Sequence, residues 1–157
     1  MNGLRMRGLC FLGLLALALL LAAGRLSATT RHALVLATSA SSSLPALTMQ
    51  EARKLFLGVP LEKDGERPVP LLNTSDPLIY QVFLQKVAFM SASAYENQTL
   101  SVVFRLGGKR PENFTDLKNL VDALQQNPGT VTYLWDDQVQ VSQGIKSVTI
   151  LWQGPLE

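Results

Sequence analysis

The stretch "PLLNTSDPLIYQVFL", Pro70 to Leu84, gathers the side chains of this chain best suited to holding a ligand. Asn73, Thr74 and Ser75 stand just before Asp76-Pro77 and an apolar run with helical spacing. A helix N-terminus exposes unpaired N–H groups and a partial positive charge, so a small hydroxyl-rich loop in front of it suits an anion. The same residues are also an ordinary way to open a helix, with Asp76 as N-cap and Pro77 at the first helical position. The sequence leaves both readings standing. Elsewhere the chemistry is sparse. Asp136-Asp137 could act as a carboxylate pair for acid–base work, or form a solvated turn between two strands. Lys109-Arg110 could clamp an anion or lie in a solvated loop. Trp135 and Trp152 could stack on a ligand or pack in the core. His32 is the only histidine, and no His/Asp/Glu spacing suits a metal. Catalytic residues, metal ligands and cofactors are therefore not expected. Three N-x-S/T triplets, at Asn73, Asn97 and Asn113, would be glycan acceptors in a glycosylating cell, and each is equally explained by cap or turn chemistry.

These groups need a scaffold, and its boundaries begin after the first 28 residues. Arg5 and Arg7 precede an apolar run from Leu9 to Ala23, and small residues follow at Ala22, Ala23, Gly24, Ser27 and Ala28. That is the order of a secretory signal, with cleavage after Gly24 or after Ala28. The run is shorter than the roughly 20 residues of a membrane-spanning helix. The expectation is a soluble, exported product, with residues 1–28 as signal and 29–157 as one domain. Removing 1–28 takes away three of the 14 Lys+Arg and none of the 12 Asp+Glu, which leaves 11 against 12, a charge of −1. No basic patch remains to suggest nucleic acid. The single cysteine, Cys10, precedes the apolar run, so the remainder has neither disulfide nor thiolate chemistry.

About 129 residues remain, enough for a single core. "HALVLAT", His32 to Thr38, reads as a buried strand. In "TMQEARKLFLG", Thr48 and Glu51 form a capping box, with Met49, Ala52, Leu55 and Phe56 on one face and Gly58 as the stop. Asp64-Gly65 predicts a turn. Pro68 and Pro70 place the next strand at an edge or at a strand start. Ile79, Val82, Phe83, Val87 and Met90 keep helical spacing. Ser93 and Glu96 suggest a second capping box, after which Leu100, Val103 and Phe104 continue a helix to Gly107-Gly108, or "SVVF" forms a strand. "ENFTDLKNLVDALQQNPG" predicts a helix with Leu117, Leu120, Val121 and Leu124 in register and Asn127-Pro128-Gly129 ending it. "TVTYLW" and "KSVTILW" alternate as strands. Strands interleaved with helices imply an α/β sheet covered by helices.

Two of these segments resemble a known family. "LTMQEARKLFLGVPLEKDGERPVPLLN" is similar to the part of phosphate-type periplasmic solute-binding proteins in which a helix ending in Phe-Leu-Gly leads through a charged turn to a strand. "FRLGGKRPENFTDLKNLVDALQQNPGTVTYL" resembles their later loop, helix and Asn-Pro-Gly stop before a strand. The resemblance implies a three-layer binding-protein-like domain with a central mixed sheet. Complete members are two-lobed and longer, so the chain corresponds to a reduced or single-lobe version. It further implies an anion such as phosphate held by loop hydroxyls and helix N-termini, in a periplasmic protein that serves a membrane permease or a sensor. On this chain the corner Asn73, Thr74 and Ser75, joined by Thr38 and Ser39 after the first strand, would donate to that ligand. The other reading is a non-enzymatic interaction module that has kept the fold and lost the ligand. A cleft with convergent hydroxyls would favour the first, and a filled corner the second.

Overall fold

The computed structural model describes residues 31–156, so the signal reading of 1–28 lies outside the described residues. The chain runs β1 (His32–Ser39), α1 (Met49–Phe56), β2 (Val69–Asn73), α2 (Pro77–Phe83), a π-helical turn (Leu84–Ala88), α3 (Ala92–Leu106), β3 (Glu112–Phe114), α4 (Leu117–Gln126), β4 (Thr130–Trp135), α5 (Asp136–Val141) and β5 (Ile145–Gly154). The five strands form one mixed sheet in the order β3-β2-β4-β1-β5. The strands β3, β2 and β4 are parallel, while β1 runs antiparallel to both β4 and β5.

Alternation along β1 explains the layers. Leu34 and Leu36 enter a core with Phe56, Ile79, Phe83, Val87 and Tyr133, under α1, α2, the π-helical turn and α3. Val35 and Ala37 point the other way, to Leu120, Leu124, Val139 and Ile145 beneath α4 and α5. A sheet covered on both faces makes three layers, as expected. β1 is buried along most of its length and reads as a continuous apolar or small run, while β4, equally buried, alternates threonine with apolar and aromatic residues.

Local chemistry sets most of the helix ends. Thr48 and Glu51 close the expected capping box on α1. Gly58 follows that helix at φ +87, and a side chain there would also meet Val103 of α3 at 3.0 Å. Asp64 and Gly65 both take positive φ in a tight turn bridged by Lys63 and Glu66. On α4, Asp116 caps the start, Leu120 and Leu124 are buried, and Asn127 ends the helix.

Several expectations are corrected. β2 lies inside the sheet and not at its edge, but Pro70 is tolerated because β3 pairs only from Leu71 onward, which agrees with a strand start. The cap of α3 is Ser91, whose hydroxyl accepts from the Ala94 N–H; Ser93 falls inside the first turn. Of the two readings of "SVVF" the helical one holds, with Gly107 ending the helix in the left-handed region as expected, but Tyr95, Thr99 and Val102 carry the buried face and Phe104 is 84% exposed. "ENF" is the edge strand β3 and not the start of a helix, because Leu71, Leu72 and Asn73 offer it a parallel partner. The helix from Pro77 does not continue regularly to Met90: it passes into the π-helical turn and stops at Phe89, at φ 58. Asp136 and Asp137 open a short helix where a turn was expected.

Two measurements check this packing. Leu120→Ala should cost about 2 to 5 kcal/mol in urea unfolding, because it empties a fully buried position between α4 and the sheet. Glu51 provides a pH signature. Its carboxylate accepts from Lys63 Nζ at 2.9 Å and from the Thr48 N–H at 2.7 Å, and these bonds lower its pKa from 4.5 to about 2. A depressed carboxylate pKa contributes stability that is present above the unfolded value and lost as pH falls through the folded one. The thermal midpoint should therefore decline between pH 4.5 and 2, and Glu51→Gln should flatten that part of the profile.

Candidate functional site

In open α/β sheets ligands gather outside the carboxyl ends of the parallel strands, where successive connections turn to opposite sides of the sheet. Here β2 connects to β3 on one side and β3 connects back past β2 to β4, so the switch lies between β2 and β4. Their backbones pair only at Val69–Thr130 and Pro70–Val131. Beyond that row side chains replace the ladder. Thr132 Oγ1 donates to the Leu71 carbonyl at 2.8 Å, the Tyr133 hydroxyl donates to the Asn73 carbonyl at 2.7 Å, and Asn73 Nδ2 donates to the Tyr133 carbonyl at 3.1 Å. Asn73, Thr132 and Tyr133 are all fully buried. The place where the strands part is thus filled by the protein's own groups.

The corner above it is equally committed. Asn73 Oδ1 accepts from the Ser75 N–H at 3.0 Å and from the Ser75 hydroxyl at 2.6 Å. Thr74 Oγ1 donates to Asn113 Oδ1 at 2.7 Å, and its N–H to the Phe114 carbonyl at 2.9 Å, which fastens the corner to β3. Asp76 Oδ1 takes the Leu78 N–H at 2.8 Å, and Pro77 has no N–H to offer. Each hydroxyl has one proton, and both are spent inside the protein. Charge follows the same pattern. The three helices that follow β2, β3 and β4 begin with Asp76, Asp116 and Asp136-Asp137, so carboxylates occupy the positions an anion would seek.

Thr38 and Ser39 do not join this corner. Thr38 pairs with Val131 across β1 and β4, and Pro70 pairs with the same Val131 from the other side. Asn73 lies three residues further along β2, roughly 10 Å at the rise of a strand. Because β1 runs antiparallel, its end falls at the start of β2. There Thr38 Oγ1 donates to the Thr130 carbonyl at 2.7 Å and Ser39 Oγ lies 3.0 Å from Ser41 Oγ. Thr38 and Ser39 are both buried. The structure brings Asn73, Thr74 and Ser75 together and separates them from Thr38 and Ser39.

Other candidates resolve in the same way. His32 lies edge-on to Trp135 with ring centroids 5.9 Å apart, and Trp135 itself is buried. Asp136 Oδ2 accepts from Gln140 Nε2 at 2.6 Å and Asp137 Oδ1 from the Gln138 N–H at 2.9 Å, so the two acids serve the turn of α5. No group of three metal-ligating side chains occurs among the described residues. Of the N-x-S/T asparagines, Asn73 is buried while Asn97 and Asn113 are exposed. Sequence reasoning did not foresee the Asn73–Tyr133 cross-link; the aromatic alternation in "TVTYLW" marks a strand and does not reveal which neighbour its hydroxyl reaches.

No family model matches the chain, and no curated protein matches it. Among solved structures it is similar to PstS from Borrelia burgdorferi, with a TM-score of 0.52 and 10% identity over 76% of this chain and 47% of that one. It is also similar to a possible phosphate binding protein from Planctomyces limnophilus, with a TM-score of 0.51 and 12% identity over 76% of this chain and 42% of that one. The likeness is one of fold. The chain has the α/β architecture of phosphate-type periplasmic binding proteins, and it matches less than half the length of either.

Removing the cross-link tests its weight. Tyr133→Phe leaves the buried Asn73 carbonyl without its donor and should lower stability by about 1 to 3 kcal/mol. Urea unfolding of the variant checks this, with an unchanged unfolding slope showing that the loss is local to the native state.

Proposed function

We propose that this is an exported, periplasmic, non-enzymatic interaction domain: one lobe of a solute-binding fold whose strand-end corner caps a helix and holds no anion. The observation that carries the reading is that the Thr74 and Ser75 hydroxyls are both donated internally, in front of a helix already capped by Asp76. A phosphate there would have to break these bonds and sit beside a carboxylate. On this reading the partner is a membrane permease or sensor protein. The outer edge of β5 supports this reading. It is ten residues long, pairs with β1 on one side only, and its backbone makes no other ladder among the described residues. An open strand edge is a template for an extended segment of another protein.

Calorimetric titration of the purified chain with phosphate, sulfate and small carboxylates should show no binding at the corner tighter than about millimolar, a free energy near −4 kcal/mol. Replacing Thr74 and Ser75 together by alanine should lower stability by roughly 0.5 to 1.5 kcal/mol per lost bond. Micromolar anion binding that the double variant abolishes would restore the anion-binding reading.

A further inference from the structure

A cleft of about 300 Å3 opens beside the corner and shares Thr74 with it, on the face of the sheet that carries α2 and α3. Leu72, Tyr95 and Pro111 give it apolar walls, and Arg110, Glu96 and Tyr80 bring polar groups to it. Arg110 and Glu96 line the same small space, yet neither forms an ion pair or side-chain hydrogen bond with the other or with any described residue. Both charges therefore border the cleft without being used inside the protein. Tyr95 is part of the wall only, since its hydroxyl is spent on the Phe56 carbonyl at 2.6 Å. Tyr80 is different: its hydroxyl has no partner among the described residues, and burial, then the Glu96 carboxylate, raise its pKa, so it remains a donor. Asn113 adds a second neutral donor. Thr74 gives its proton to Asn113 Oδ1, which orients the amide and leaves Nδ2 free.

We propose that this cleft binds a small zwitterion, a free α-amino acid, with its carboxylate on Arg110 and its ammonium towards Glu96. The charge pattern selects the class. A simple anion would satisfy Arg110 and be repelled by Glu96, and a simple cation would meet the reverse. The volume lies at the low end for ligand pockets, which suits a small ligand such as an amino acid with a small side chain. The site borders the capped corner through Thr74, whose hydroxyl is already used, and it needs no cofactor or metal.

Titration of the purified chain with glycine, alanine and serine, against acetate and methylammonium as single-charge probes, tests the assignment. The amino acids should bind in the micromolar to low-millimolar range, and each single-charge probe at least about tenfold more weakly, since each forgoes a charge-assisted bond. Arg110→Gln and Glu96→Gln should each weaken amino acid binding by a similar factor. Both side chains are exposed, so neither change should move the thermal midpoint appreciably. The proposal is overturned if no amino acid binds more tightly than about 10 mM, if acetate binds as well as glycine, or if the two variants bind with unchanged affinity.

Discussion

The separation of β2 from β4 beyond Pro70 is the constraint on which the rest of this lobe depends. Two parallel strands that stop pairing expose buried carbonyls on both sides, and an unpaired carbonyl in a core costs about as much as a lost hydrogen bond. Tyr133 and Asn73 meet that cost reciprocally, each donating from its side chain to the other's backbone. The Tyr133 ring then fixes the layer above, stacked on Phe83 at 4.1 Å and edge-on to Phe56 at 5.4 Å. Through those rings the ends of α1 and α2 are set relative to the sheet. One hydroxyl therefore links sheet register, helix placement and the shape of the corner.

That link also explains why the corner cannot easily serve a ligand. Asn73 spends its Nδ2 on β4 and its Oδ1 on Ser75, so its two roles, closing the sheet and shaping the turn, share one amide. Freeing Ser75 for a ligand would leave Asn73 Oδ1 with fewer partners at a fully buried position. Asp76 adds charge to the same constraint, since the helix it caps offers no N–H at Pro77 and gives that of Leu78 to the cap. Local folding chemistry and anion recognition compete here for the same few protons.

Features set by neighbouring residues were legible in the sequence. The capping box of Thr48 and Glu51, the turn at Asp64-Gly65 and the buried face of α4 all depend on residues a few positions apart. Features set across the sheet were not. An apolar run such as "HALVLAT" announces a buried strand but carries no mark of its direction, and direction decides whether Thr38 and Ser39 meet Asn73 or lie at the opposite end. The short strand at Glu112 to Phe114 was hidden for a related reason. Three residues without alternation acquire strand character only from their partners in β2. Ser93 with Glu96 imitated a capping box, and Ser91, two residues earlier, held the better position.

The distribution of charge separates groups that serve the fold from groups that do not. Acids stand at the start of the helix after each parallel strand, Asp76 and Asp116 as caps and Asp136-Asp137 in the first turn, and they offset the partial positive charge that would otherwise attract an anion. The cations Lys109 and Arg110 instead lie in the loop before β3. Nothing in the core depends on them, because they are exposed and none of the ion pairs among the described residues uses them. Groups free of structural duty can be aimed at a partner without cost to stability, whereas Asn73, Thr74 and Tyr133 cannot. These two cations, outside every ion pair among the described residues, therefore lie in a loop, while the polar groups between the ends of β2 and β4 are committed to stability.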